Sequence, residues 1–109
     1  GNPVAAIVTF FMIVINFIRK LSGENSAAIV ERILPCNFNV EKKIGRTEWI
    51  RGNILKKKNG FFLERFKSTG SGIISSLSQS QGIIELEENS DYVKKGSLLK
   101  FYRYEDMLN

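Results

Sequence analysis

Residues 54–66 read "ILKKKNGFFLERF", and the reading of this stretch decides the fold. Two strand-like runs flank Asn59 and Gly60, a pair that supplies the positive φ angles of a type I′ turn, so the segment is expected to be a β-hairpin. Lys56, Lys57 and Lys58 lead into the turn. They suit phosphate binding, but the simpler reading is a solvated hairpin tip whose charges guard an edge against pairing. The same short, turn-bounded rhythm runs outward on both sides. "AAIVERIL" ends at Pro35 and "TEWIRGNIL" leads into the hairpin, while "GIIEL" and "SLLKFYRY" follow it. An all-β domain is implied after Gly23.

The chain opens differently. In "GNPVAAIVTFFMIVINFIRKLSG" the run from Val4 to Ile18 is apolar except for Thr9 and Asn16. It falls short of the roughly 20 apolar residues of a membrane-spanning helix. Its charges, Arg19 and Lys20, follow the apolar run, whereas a secretory signal carries them ahead of it. Asn2 fits an N-cap, Pro3 a first helical turn and Gly23 a C-terminal cap. The segment therefore reads as a long helix of a soluble protein. Ala5, Thr9, Met12, Asn16 and Lys20 gather the smaller or more polar residues into one stripe. The remaining apolar surface is too wide for one face of a small domain, so the helix wants protein on most sides. A chain that starts with Gly1 inside a loop-to-helix junction reads as a piece of something longer.

At 109 residues this is one domain, or a small domain with part of another. Sixteen Lys and Arg against eleven Asp and Glu give +5, which favours anionic partners. With no histidine, Ser-His-Asp and Cys-His catalysis drop out together with the common zinc sites. Cys36 is the single cysteine, so no internal disulfide forms and a reducing compartment is expected. It reads as a packed residue rather than a reactive thiol.

Two stretches carry candidate chemistry. "STGSGIISSLSQSQG", residues 68–82, places Gly70 and Gly72 ahead of Ile73, Ile74 and Leu77 at helical spacing. A glycine turn before a helix start gathers free backbone N–H groups, and Thr69 and Ser71 add hydroxyls, so the loop can cradle an oxyanion. The alternative is an ordinary N-cap and tight turn. "GRTEWIRG", residues 45–52, puts Arg46, Glu48 and Ile50 on one side of a strand and Thr47, Trp49 and Arg51 on the other. An arginine there can pair with a carboxylate or grip an external oxyanion.

These segments, with "VKKGSLLKFY" at residues 93–102, stand in the order and at the spacing that resemble the C-terminal end of the MoeA/gephyrin family of molybdenum insertases. The resemblance covers essentially the whole chain. It implies that residues 1–23 are the last helix of the molybdopterin-binding domain III, cut from its parent α/β sheet, and that residues 27–109 are domain IV, a small β-clip or barrel-like domain. It further implies a cytoplasmic homodimer that inserts molybdate into adenylated molybdopterin with a divalent metal such as Mg2+. Arg51 and Ser71 match cleft-lining positions of that family, with Thr69 and Gly70 beside Ser71, and Gly1, Asn2 and Pro3 match the neighbouring domain III loop. Arg46 also matches a motif position, with a structural pairing role expected. Ala5 or Ala6 stands where many members carry a serine after "GNPV". The family's acidic residues for metal and adenylate belong to earlier domains, so this piece alone is expected to bind no metal or cofactor, to offer no catalytic residue and to be inactive.

Two other readings compete. The lysine run with Trp49, Phe61, Phe62, Phe66, Tyr102 and Tyr104 suits a nucleic-acid-binding β module, and a gephyrin-like scaffold surface would bind a partner peptide. Aromatics in alternation are more often a β core than a stacking platform.

Overall fold

A computed structural model describes residues 3–22, 30–67 and 79–107. Helix α1 (Pro3–Ser22) is followed by β1 (Arg32–Pro35), β2 (Val40–Glu41), β3 (Glu48–Lys57), β4 (Gly60–Arg65), β5 (Gly82–Leu86), β6 (Tyr92–Val93), β7 (Leu98–Arg103) and a terminal turn of helix, α2 (Tyr104–Met107). Five strands form an antiparallel sheet in the order β1-β7-β5-β3-β4, and β2 pairs with β6 in a small second ladder. The expected mainly β architecture with one long N-terminal helix is what the chain adopts. Among the described residues, no helix is long and apolar enough to cross a membrane.

The sheet curls until its two edges meet. The Asn37 amide donates to the Leu63 carbonyl at 2.9 Å, and Cys36 forms a parallel bridge to Leu63, so the end of β1 closes onto β4 and the result is barrel-like. Strand alternation then sends Ile50, Ile54, Leu63, Ile84, Leu86, Leu99 and Phe101 to one side, where they make the core with Cys36 and Val93. Burying each such side chain contributes about 1.5–3 kcal/mol. Cys36 is indeed a packed residue, its thiol 3.4 Å from the carbonyl oxygens of Phe38 and Lys94. The tight curl needs a strand position without a side chain. Gly82 pairs with Gly52 on one neighbour and Arg103 on the other, and a Cβ there would collide with the Tyr102 carbonyl oxygen and stand 2.8 Å from the tip of the Phe101 ring.

The small ladder is held by a lysine. The Lys42 side chain is buried, and its ammonium donates to the carbonyls of Lys43 at 2.6 Å, Ser90 at 3.1 Å and Glu88 at 3.4 Å. A buried cation is tolerated only when its donors are taken up in this way.

On the outer face of the sheet, α1 lies against a second cluster in which Val8 and Met12 join Ile83 and Tyr102, with Phe11, Trp49 and Tyr104 around them. Met12, counted above with the smaller and more polar stripe, is on the packed side: the outer face of the barrel is itself apolar and takes a flexible thioether readily. The side away from the barrel leaves Phe10 (68% exposed), Phe17 (61%) and Leu21 (71%) in solvent, flanked by Ile13 and Ile18.

Three expectations are revised. Only Gly60 of the hairpin pair has a positive φ, +129°, and no non-glycine residue among those described does, so the turn is not type I′. Lys57 pairs with Gly60 around Lys58 and Asn59, which leaves the asparagine clear of the steric cost of left-handed backbone. The strand expected up to Tyr104 stops at Arg103, where α2 begins, and the first strand covers only the end of "AAIVERIL". The expected caps Asn2 and Gly23 and the helix over Ile73, Ile74 and Leu77 lie outside the described residues.

Beneath α1 the sheet carries a polar network. The Trp49 indole donates to Glu85 at 3.2 Å, and the single Tyr102 phenol proton is shared between Glu85 and Glu31, each at 3.3 Å. Lys100 lies 3.9 Å from Glu85 and 4.0 Å from Glu31. Burial pushes the Tyr102 phenol well above its ordinary value, and the two carboxylates push it further the same way.

Two outcomes follow. Gly60→Val is expected to lower stability by about 1–2 kcal/mol, through backbone strain alone because nothing lies within 4 Å of where its Cβ would stand; chemical denaturation measures this, and Gly45→Val, at φ +100° in another open turn, should behave alike. Because the folded chain holds the Tyr102 proton more tightly than the unfolded chain, its contribution is complete below about pH 10 and is lost as pH rises toward the raised folded value. Stability should therefore fall above about pH 10, with a contribution from this group of up to about 1.4 kcal/mol per pH unit. Tyr102→Phe should flatten that fall in denaturation curves taken at successive pH values.

Candidate functional site

Strand β3 runs through the centre of the site. Its alternation turns Ile50 and Ile54 inward and places Arg51 outward beside Trp49, and Arg51 pairs across the sheet with Ile83, which packs against α1. The helix, the tryptophan and the arginine thus share one face, as the alternation of "GRTEWIRG" implies.

Arg51 is held rather than free. Its guanidinium lies over the Phe66 ring, 5.1 Å from the centroid, and the Phe66 amide donates to the Arg51 carbonyl at 3.0 Å, so ring and cation are braced through the backbone. Such a contact is worth about 0.5–2 kcal/mol depending on desolvation. The guanidinium makes no ion pair among the described residues, and its Nη1 is buried with no hydrogen-bond partner among them. A buried donor left unsatisfied costs about 1–3 kcal/mol, more when charged. The arrangement fits an anion supplied from outside.

Tyr104 and Ser80 stand beside it. Their hydroxyls are 2.7 Å apart, with Ser80 buried. Burial raises the Tyr104 phenol above its ordinary value, while the bond to Ser80 and the nearby charge of Arg51 act in the opposite direction. The chain between β4 and β5 is tied at both ends to consecutive carbonyls of β3: Phe66 to Arg51, and Gln81, through its amide at 3.1 Å, to Gly52. Gln81 is further clamped, its amide to the Asn53 side chain and its own side chain to the Ile54 amide, both at 2.7 Å. Thr69, Gly70 and Ser71 lie within that connection and outside the described residues, as do Gly1 and Asn2. Pro3 is the first residue of α1.

Of the sequence-derived candidates, the structure therefore places Arg51 and the backbone of Pro3. Arg46 is exposed and makes no ion pair among the described residues, so the pairing expected of it is not seen among them. Phe66, Tyr104, Ser80, Gln81 and Asn53 were not foreseen in these roles. Strand alternation could have placed Tyr104 near the helix face, but nothing in the sequence marks Phe66 as the ring under Arg51. Among the described residues no group of three or more acidic or cysteine side chains could hold a metal ion, so no residue here is assigned to Mg2+. The aromatics of the nucleic-acid reading are mostly occupied: Tyr102 is buried, Trp49 is bonded to Glu85, Phe66 is covered by Arg51 and Phe62 by Lys57 at 5.4 Å.

Comparison with known proteins agrees with this architecture. The family described as MoeA C-terminal region (domain IV) matches residues 34–104. A putative molybdopterin biosynthesis protein of Methanocaldococcus jannaschii is 32% identical over 102 residues, covering 94% of this chain and 22% of that protein. A molybdopterin molybdenumtransferase of Haemophilus influenzae is 27% identical over 110 residues, covering 99% of this chain and 27% of its own length. The crystal structure of a molybdopterin biosynthesis MoeA protein from Pyrococcus horikoshii superposes with a TM-score of 0.68 at 27% identity, over 95% of this chain and 26% of that one. The chain spans about a quarter of the length of these relatives.

Proposed function

The chain belongs to the MoeA C-terminal (domain IV) family, and from that premise we propose that it forms the C-terminal part of a molybdopterin molybdenumtransferase, in which Arg51 holds the oxyanion substrate. The observation that carries this reading is the buried Nη1 of Arg51, braced over Phe66 and unpartnered among the described residues. A planar guanidinium offers two parallel N–H donors to molybdate or to a phosphate oxygen. In this reading Ser71, with Thr69 and Gly70, supplies hydroxyl and amide donors to the same anion, and Gly1, Asn2 and Pro3 bind it with them. These groups bind and orient the anion; the insertion of molybdate into the dithiolene of adenylated molybdopterin, and any Mg2+ it uses, draws on residues outside this chain. The working enzyme is then a cytoplasmic homodimer.

In this reading residues 1–23 belong to domain III and 27–109 to domain IV, which accounts for the two-sided α1. One side is seated on the barrel by Val8 and Met12, and the other, carrying Phe10, Phe17 and Leu21, packs on the rest of domain III.

Arg51→Ala in the full-length enzyme should remove a charge-assisted contact of roughly 1.5–3 kcal/mol, or about ten- to a hundredfold in molybdate-dependent cofactor formation, with little change in the melting temperature. Arg51→Lys should restore only part of it, since an ammonium lacks the planar fork. Normal activity of Arg51→Ala at limiting molybdate, or a loss that merely tracks unfolding, would rule the role out.

The helix assignment has its own test. The 109-residue chain by itself should self-associate through α1, whereas a Phe10→Lys, Phe17→Lys double variant should sediment as a monomer and melt at an unchanged temperature. Equal sedimentation of the two as monomers would count against it.

A further inference from the structure

We propose that the concavity just past the barrel closure, between Arg65 and Asn37, is a second oxyanion site, separate from Arg51, which takes a phosphate monoester. The concavity has a volume of about 520 Å3 and is lined by Asn37, Phe38, Glu64, Arg65, Phe66 and Lys67. Its chemistry follows from the way β4 ends. Because the Phe66 amide bonds to Arg51 on β3, the alternation of an antiparallel ladder turns the amide of Arg65 the other way. On that side the closing bond from Asn37 takes up the Leu63 carbonyl, and no described residue accepts from the Arg65 amide. The Arg65 N–H at this edge of β4 thus has no acceptor among the described residues and lies at the rim of the concavity that Arg65 lines.

The side chains converge on the same place. The Arg65 guanidinium lies over the Phe38 ring, 5.8 Å from the centroid, and Phe38 is itself packed against the core, so the ring biases the cation toward the concavity while its N–H edges stay available. Neither Arg65 nor Lys67 makes an ion pair among the described residues, and Glu64, the one carboxylate on the wall, pairs with neither. The Asn37 side chain adds an amide. A guanidinium, an ammonium, a backbone N–H and a carboxamide around one concavity form the donor set of a phosphate site. The volume is several times that of a bare phosphate and lies in the range of small-ligand pockets, and two of the walls are phenylalanines. A phosphate carried on an apolar or aromatic group fits both features.

Phenyl phosphate is the probe, titrated into the 15N-labelled chain while amide chemical shifts are followed, with sodium chloride at matched ionic strength and benzyl alcohol as controls. Saturable shifts at Asn37, Arg65 and Lys67 are expected with phenyl phosphate and with neither control. Arg65→Ala should weaken binding at least tenfold with the amides of Ile84 and Leu86 unmoved, whereas Arg51→Ala should leave it within about twofold. Lys67→Ala, at an exposed position that the fold does not rely on, should weaken it several-fold and carries the test if Arg65→Ala does not fold. Shifts reproduced by sodium chloride, unchanged affinity in folded Arg65→Ala and Lys67→Ala, or a loss confined to Arg51→Ala would each overturn the proposal. The last of these would return the anion to Arg51, leaving that assignment intact.

Discussion

The bond from the Asn37 amide to the Leu63 carbonyl joins the two edges that a five-stranded antiparallel sheet would otherwise leave open. Unpaired edges invite association with other chains, and here the closure ties the end of β1 to the middle of β4. It also fixes what lies on either side. Inward, Leu63 and Cys36 come together with Phe101, Ile84 and Leu86 in one continuous core. Outward and past the bridge, Phe38 reaches Arg65, and the chain leaving β4 at Phe66 is directed under Arg51. A closure displaced by one residue would invert the faces of β4 and take Leu63 out of the core, so the placement of both arginines is bound to the packing of the barrel.

Arg51 shows how a stable fold can hold an unfinished interaction. Three cations elsewhere are matched: Arg32 to Asp106, Arg103 to Glu105 and Asp106, and Lys100 to Glu31 and Glu85. Lys42 has its three carbonyls. Arg51 has a ring and a backbone brace but, among the described residues, no anion. Its position is therefore set by contacts that leave Nη1 without a hydrogen-bond partner among the described residues, which is the condition for binding an oxyanion without first breaking an internal salt bridge.

Much of this could be read from the residues. Alternation in "GRTEWIRG" separates Ile50 from Trp49 and Arg51, and the structure sends the first to the core and the others to the helix face. The hairpin is where "ILKKKNGFFLERF" puts it, with Gly60 taking the positive φ that this turn uses. The type itself was not legible, because Asn-Gly is compatible with positive φ at both residues or at the glycine alone. Nor was the packed face of α1: with apolar residues on most sides, the sequence does not mark which of them rests on the sheet, and Met12 sits as well among polar neighbours as against Ile83 and Tyr102. The stacking of Phe66 under Arg51 and the clamp between Gln81 and Asn53 depend on how tightly the barrel curls at Gly52 and Gly82, a property of three strands together that no local pattern encodes.

A helix that is apolar on two sides has a mechanical consequence. Val8 and Met12 seat α1 on Ile83 and Tyr102, and Ile83 is the cross-strand neighbour of Arg51. Phe10, Ile13, Phe17 and Leu21 form a second stripe at spacings of three and four on the opposite side, the pattern by which one helix packs on further structure. Since the interior of such contacts is close-packed and resists sliding, whatever rests on that second stripe is positioned relative to Arg51 to within the play of a few methyl groups. If that stripe packs on the rest of domain III as proposed, the long helix is a rigid spacer between it and the arginine-bearing face, and shaving Val8 or Met12 would disturb that registration before it unfolded the barrel, whose own core of Leu63, Ile84, Leu86 and Phe101 does not include the helix.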